Sequence, residues 1–309
     1  MGRFVAGECP ELDRLVADAL SAIGREIDAM RIPSLAGVVL GGGYGRGEGG
    51  ARGKGLSNDL DFFAITEEGA TDADAAAVAK ALEPLSRRWS EKLGIDVDFT
   101  GRTPWRLRHD QERLMVQELV HGYVDVAGAT GQSLFAGIAR RAPSDLPWME
   151  AARLLMNRGM GLLLARSAED VDFINRNINK CLLGAGDARL IARHGYGWRA
   201  QERAESLGDD VYRAAVAWKF RPTDAPVCDW ETARDVWRAA YEEVMKAGAG
   251  ELGRSLRQAA RWIARRRTFG EIASFGQNCT VRVLRGVSRC VERRSPIPPS
   301  LRRDWEIFN

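Results

Sequence analysis

Ala36-Gly37-Val38-Val39-Leu40-Gly41-Gly42-Gly43-Tyr44-Gly45-Arg46-Gly47-Glu48, followed by Asn58-Asp59-Leu60-Asp61-Phe62-Phe63-Ala64-Ile65, is the stretch on which the fold turns. A short apolar run that enters consecutive glycines reads as a buried strand leading into a turn. The second segment reads as another strand, with two acidic residues at its start. Side chains alternate across a strand, so Asp59 and Asp61 project from the same face. Aspartate is disfavoured in strands, which makes two of them in an otherwise apolar run a chemical signal rather than a solvated edge.

Working outward, the pattern is mixed α/β. Glu11 to Met30 carries Leu12, Leu15, Val16, Leu20, Ile23 and Ile27 near helical spacing, which predicts a helix ended by Pro33. Thr71-Asp72-Ala73-Asp74 opens a capped helix that runs to Lys92. Ile95-Asp96-Val97-Asp98-Phe99 alternates apolar and acidic residues. It reads as a third strand with both carboxylates on one face. His109 to Leu119 reads as helical, with His109-Asp110 as a helix-start feature, and Tyr123-Val124-Asp125-Val126 as a short edge strand.

This arrangement carries a definite chemistry. Glycines after a strand let backbone N–H groups approach phosphates that side chains would hold away. Carboxylates from two neighbouring strands repel one another unless a cation lies among them. Hard divalent ions take oxygen ligands, and Mg²⁺ prefers a few carboxylates together with substrate phosphates. A pair of such ions can activate an attacking oxygen and stabilise a leaving pyrophosphate.

The loop Gly42-Gly43-Tyr44-Gly45-Arg46-Gly47-Glu48 and the Asp59-Leu60-Asp61 element resemble the signature of the DNA-polymerase-β-like nucleotidyltransferase superfamily. The wording is especially close to bacterial protein-uridylyltransferases and to small Gly-Ser-Tyr-Ala-Arg-Gly-Glu nucleotidyltransferases. The resemblance covers about residues 35 to 100, with a weaker continuation to about 130. It implies that Gly42 and Gly43 hold a triphosphate, with Tyr44 and Arg46 of the same loop in the nucleotide-binding set. It implies that Asp59 and Asp61 bind the metals, two Mg²⁺ ions. Asp98, ahead of Asp96, is then the third carboxylate, a metal ligand that helps deprotonate the acceptor hydroxyl. Arg46 has an equal alternative, pairing with Glu48 or capping the loop.

Two departures stand out. Fifteen residues separate Gly43 from Asp59, a longer gap than the family's, so residues 51–57 read as an inserted loop. The chain also lacks the additional domains of the large uridylyltransferases.

Length and composition frame the rest. The 309 residues suggest about two domains. A chain 45% hydrophobic and 28% charged can bury a sizeable core. No apolar run approaches a membrane span, and Met1 to Glu8 has no leader-like apolar core. Five cysteines stand singly with no CxxC pair, which indicates neither a zinc cage nor a disulfide framework. A cytoplasmic location is the expectation.

Arg140 to Pro147 reads as a linker, giving an α/β nucleotidyltransferase domain over 1–142, a mixed sheet with flanking helices. An all-α helical bundle follows over 143–309. Its expected helices are 148–165, 169–194, 209–220, 230–247 and 252–267. Lys180 and Asp187 lie seven residues apart on one helix face. The resemblance makes Lys180 a phosphate contact; a surface salt-bridge face is the alternative. Residues 251–309 hold 13 Arg, no Lys and five acidic residues, so this region is +8 while the remainder is −5. A solvated face or an anionic partner fits that balance.

The expected reaction is transfer of a nucleoside monophosphate, AMP from ATP in the first instance, to an acceptor hydroxyl with release of pyrophosphate. The acceptor is a small molecule, a protein side chain or an RNA end. The rival readings are a non-catalytic nucleotide-binding module, acting as a regulatory or toxin–antitoxin partner, and a nucleic-acid-binding protein.

Overall fold

Val38, Val39 and Leu40 are fully buried because β1 (Leu35–Leu40) is an inner strand covered on both faces. The computed structural model describes residues 2–250 and 273–308. They form a mixed α/β protein in two units. The first contains Met1–Ala142, Trp198–Ala200 and Lys219–Thr223; the second contains the remainder. No described helix is long and apolar enough to cross a membrane.

The sheet of the first unit has four strands in the order β5-β4-β1-β6. β1 runs antiparallel to β4 (Leu60–Thr66) on one side and to β6 (Val124–Gly128) on the other. β4 is parallel to β5 (Val97–Arg102). A parallel pair needs a crossover, supplied by α3 (Asp72–Leu93), which opens with a capping box between Thr71 and Asp74 and ends at Gly94.

Alternation along β4 decides which residues meet which helices. Leu60, Phe62 and Ala64 pack with α1 (Pro10–Met30) and α3. Phe63 and Ile65 pack against α4 (Pro104–His109) and α5 (Leu114–His121). Asp61 falls on this second face, at the sheet end where β1 exits into the glycines.

Four details differ from the sequence expectations. The expected single helix over 109–119 is two, α4 and α5, broken at residues 110–113. His109 ends α4 and Asp110 is its C-cap, so this pair closes a helix rather than starting one. Residues 51–57 are no plain loop: β2 (Gly50–Arg52) and β3 (Gly55–Ser57) pair as a hairpin. The third strand starts at Val97, which leaves Asp96 just outside it.

The described residues of the second unit are helical, with no strand among them. α7 (Trp148–Arg166), α8 (Val171–Ala192), α11 (Trp230–Ala247) and the helix Ala273–Arg293 pack on one another. Trp237 of α11 is fully buried, and its indole N–H donates to the Leu155 carbonyl at 2.9 Å. Helices over Ala273–Arg293 and Pro299–Phe308 escaped the sequence reading, and the expected helix 252–267 lies outside the described residues.

Candidate active site

β1 ends at Leu40, and Gly42–Gly45 form a single helical turn, α2. The Gly41 N–H donates to the Asp61 carbonyl at 2.8 Å, which fastens this turn to the start of β4. Gly42 has φ +60°, and a Cβ there would lie 2.1 Å from Asp61 Oδ2. Both the left-handed backbone and the contact demand glycine. The turn and the first strand carboxylate are thus in direct contact.

The register of β4 and β5 then sets out the carboxylates. Asp61 pairs with Asp98 across the two parallel strands. Paired residues of neighbouring strands project from the same face about 4.8 Å apart. Asp59 lies two residues before Asp61, at the mouth of β4, and is half-buried like it, whereas Asp98 is exposed. Partial desolvation by neighbouring atoms, with the charges of Asp59 and Asp96, holds the Asp98 carboxyl above the usual carboxylate range. The charged neighbours that act on Asp98 are therefore themselves carboxylates. Asp59, Asp61 and Asp98 share a sheet face, and Asp96 flanks them.

The donor set suits a hard divalent cation: all oxygens, on adjacent strands, with mutual repulsion that a cation would relieve. Among the described residues no three carboxylate, histidine or cysteine side chains stand close enough to enclose an ion as they are. Backbone register brings Asp61 beside Asp98, and Asp59 lies just before β4.

The remaining loop residues occupy different places. Tyr44, 1% exposed, turns inward. Its hydroxyl faces the carbonyls of Gly50 and Ser57 at 2.8 Å each and accepts from Ser57 N–H at 3.2 Å. Burial pushes this phenol far up from its ordinary value. The Tyr44 side chain, in a residue expected in the nucleotide-binding set, clamps the β2–β3 hairpin.

Arg46 is also largely buried. It pairs with Glu48 (Nε to Oε2, 3.6 Å) and with Glu118 of α5 (Nη1 to Oε2, 3.5 Å). Of the two readings of Arg46, these contacts favour the pairing with Glu48 over a phosphate.

Glu48 is the residue whose importance the sequence understated. It is 2% exposed. Its Oε1 accepts the Ala200 N–H at 2.6 Å, and Oε2 meets Lys219 Nζ at 3.3 Å. Lys219 also supplies a carbonyl that accepts from Asn58 Nδ2 at 3.3 Å. Asn58 has φ +74°, a left-handed conformation that asparagine tolerates. It immediately precedes Asp59, so a segment 161 residues away helps to set the entry into the carboxylate strand. His121 of α5 stacks on Trp198 at 4.4 Å, a further contact within the first unit between residues distant in sequence.

No family model, no curated protein and no solved structure matches the chain. Function has to be argued from the site itself.

Lys180 is exposed on α8, in the second unit. Asp187, seven residues on, pairs with Arg203 at 2.8 Å and accepts from the Tyr212 hydroxyl at 2.5 Å. Asp187 therefore belongs to a buried polar network rather than to a surface ladder with Lys180.

Proposed function

We propose that the first unit catalyses metal-dependent nucleotidyl transfer: a nucleoside monophosphate passes from a nucleoside triphosphate, ATP in the first instance, to an acceptor hydroxyl. The observation that carries this reading is the in-register Asp61–Asp98 pair, with Asp59 on the same face and Gly42 pressed against the Asp61 carboxylate. A glycine turn touching an acidic strand edge puts backbone N–H groups that can approach a phosphate beside carboxylates that suit a cation.

In this reading Asp59, Asp61 and Asp98 hold one or two Mg²⁺ ions. When bound, the ions supply charge neutralisation on the triphosphate and activation of the acceptor oxygen. The chain's own residues do the rest. The Gly42–Gly43 backbone admits the triphosphate. Asp98 accepts the proton of the acceptor hydroxyl. The acceptor oxygen forms its bond to the α-phosphorus as the bond from that phosphorus to the bridging oxygen breaks, and pyrophosphate leaves. Catalysis rests mainly on positioning and on fixed charge.

The test is incubation of the protein with each of the four α-labelled nucleoside triphosphates, Mg²⁺ and a cell extract. The expected outcome is pyrophosphate release from one of them, and label on one acceptor class: metabolite, protein or RNA. Nucleotide binding without turnover under any acceptor would instead make the unit a regulatory module.

A further inference from the structure

The helix Ala273–Arg293 separates its residues sharply. Val281, Val283, Leu284, Val287, Cys290 and Val291 are buried. Arg282, Arg285, Arg289 and Arg293 are exposed, at spacings of three, four and four residues, so they form one row along one face. At 1.5 Å per residue the row is about 16 Å long.

Its charges are unevenly matched. Arg282 pairs with Asp304 at 3.1 Å. The one acidic residue of the helix, Glu292, is engaged by Ser288 Oγ at 3.2 Å. Nearby, Glu231 is engaged by Arg294 and Glu306 by Arg302. No carboxylate among the described residues pairs with Arg285, Arg289 or Arg293.

We propose that this row is a docking surface for the phosphate backbone of single-stranded RNA. Guanidinium groups are planar forks that bind phosphate oxygens two at a time. A single row of one sign follows one strand. The alternatives lack their own hallmarks. A protein interface has a core depleted in charge and rich in aromatic residues, yet the apolar residues of this helix face inward. A membrane-surface helix must offer an apolar face to the lipid, and here that face is already buried. The proposal needs no nucleotidyl transfer. One corollary, that an RNA end is the acceptor, rests on the transferase reading above.

The test uses the whole protein and a 5′-fluorescent 20-nucleotide single-stranded RNA, without nucleoside triphosphate or Mg²⁺, followed by polarisation from about 50 to 300 mM KCl. Binding is expected at low salt, weakening log-linearly by about 0.7 decade per decade of salt for each phosphate contacted. Arg285→Gln/Arg289→Gln/Arg293→Gln should weaken binding at least tenfold and flatten the slope by about 2. The melting temperature should be unchanged, because these side chains are exposed. The lysine triple variant, which keeps the charges, should recover most of the affinity. The proposal is overturned if the wild-type protein does not bind at 50 mM KCl, or if the glutamine variant binds like it. It is equally overturned if poly-glutamate or anionic vesicles bind through the same three arginines as tightly as the RNA does.

Discussion

Two acidic places in the first unit invite comparison: Glu48, at the end of the glycine loop, and Asp98, on the strand beside Asp61. Glu48 is almost wholly buried and is met from three sides by Arg46, Lys219 and the Ala200 N–H. Asp98 is exposed, and the charges that act on it are those of Asp59 and Asp96. The protein answers one carboxylate with its own cations and leaves the other to repel its neighbours. A carboxylate compensated within the fold is a strut. A carboxylate whose charged neighbours are other carboxylates is, on the function proposed above, where a cation would be held.

The largest effect expected is catalytic. Asp59→Asn and Asp61→Asn should each lower pyrophosphate release by about a thousandfold or more, a loss of roughly 4 kcal/mol in transition-state stabilisation. Circular dichroism should be unchanged. Normal turnover in either variant would remove the functional half of the comparison.

Glu48→Gln should act on stability first. Removing one charge from this buried cluster weakens the compensation of Arg46 and Lys219 and costs about 3 kcal/mol. Faster hydrogen exchange over residues 41–57, together with residues 198–200 and 219–223, would show that the strut reaches its distant partners. If exchange quickens only locally, Glu48 does not tie those segments down.

A third substitution falls between the two places. Gly42→Ala adds a Cβ in a left-handed backbone against the Asp61 carboxylate. A loss of about 1–2 kcal/mol is expected from the backbone conformation, with further displacement of Asp61. Denaturant unfolding measures the first, and Mn²⁺ affinity followed by electron paramagnetic resonance measures the second. Unchanged values for both would mean that the turn does not bear on the carboxylate.

How much of this was legible in the sequence differs between the same two places. Asp59, Asp61 and the Asp96/Asp98 pair stand out because period-2 alternation is local and acidic residues are unusual within it, while the preference for Asp98 over Asp96 comes from the resemblance. The partners of Glu48 do not, because Ala200 and Lys219 lie 152 and 171 residues away and nothing in the intervening pattern records the contact. The anchoring of Tyr44 was not legible for a related reason: its hydroxyl is used by a hairpin that the spacing alone made a loop. That hairpin has a cue, Gly53 at φ +59° between two three-residue strands, but strands so short carry almost no periodic signal. The break between α4 and α5 likewise turns on Asp110 as a cap, which a helix-period count passes over. The exposed arginines of the helix Ala273–Arg293 were visible as composition, yet their alignment in a row depends on knowing which face is buried.

The smallest predicted effect is the most discriminating, because its sign is opposite to that of Glu48→Gln. The folded-state carboxyl of Asp98 is raised, chiefly by partial desolvation and then by Asp59 and Asp96. Its proton is therefore held more tightly in the folded state than in the unfolded one. Stability from this group is fully present below the unfolded value, near pH 3.9, and is lost as the pH rises through the raised folded value. At neutral pH in the absence of divalent ions, Asp98→Asn should therefore stabilise the protein. Solvent screening at an exposed side chain limits the gain to about 1–2 °C in melting temperature. If Asp98 holds Mg²⁺ as proposed, the same variant should lose most of the stabilisation expected for the wild type on adding Mg²⁺. Thermal melts of both proteins, with and without Mg²⁺ at pH 7, measure both differences. A destabilised Asp98→Asn in the metal-free protein would make Asp98 a strut like Glu48, and the contrast between the two carboxylates would fail.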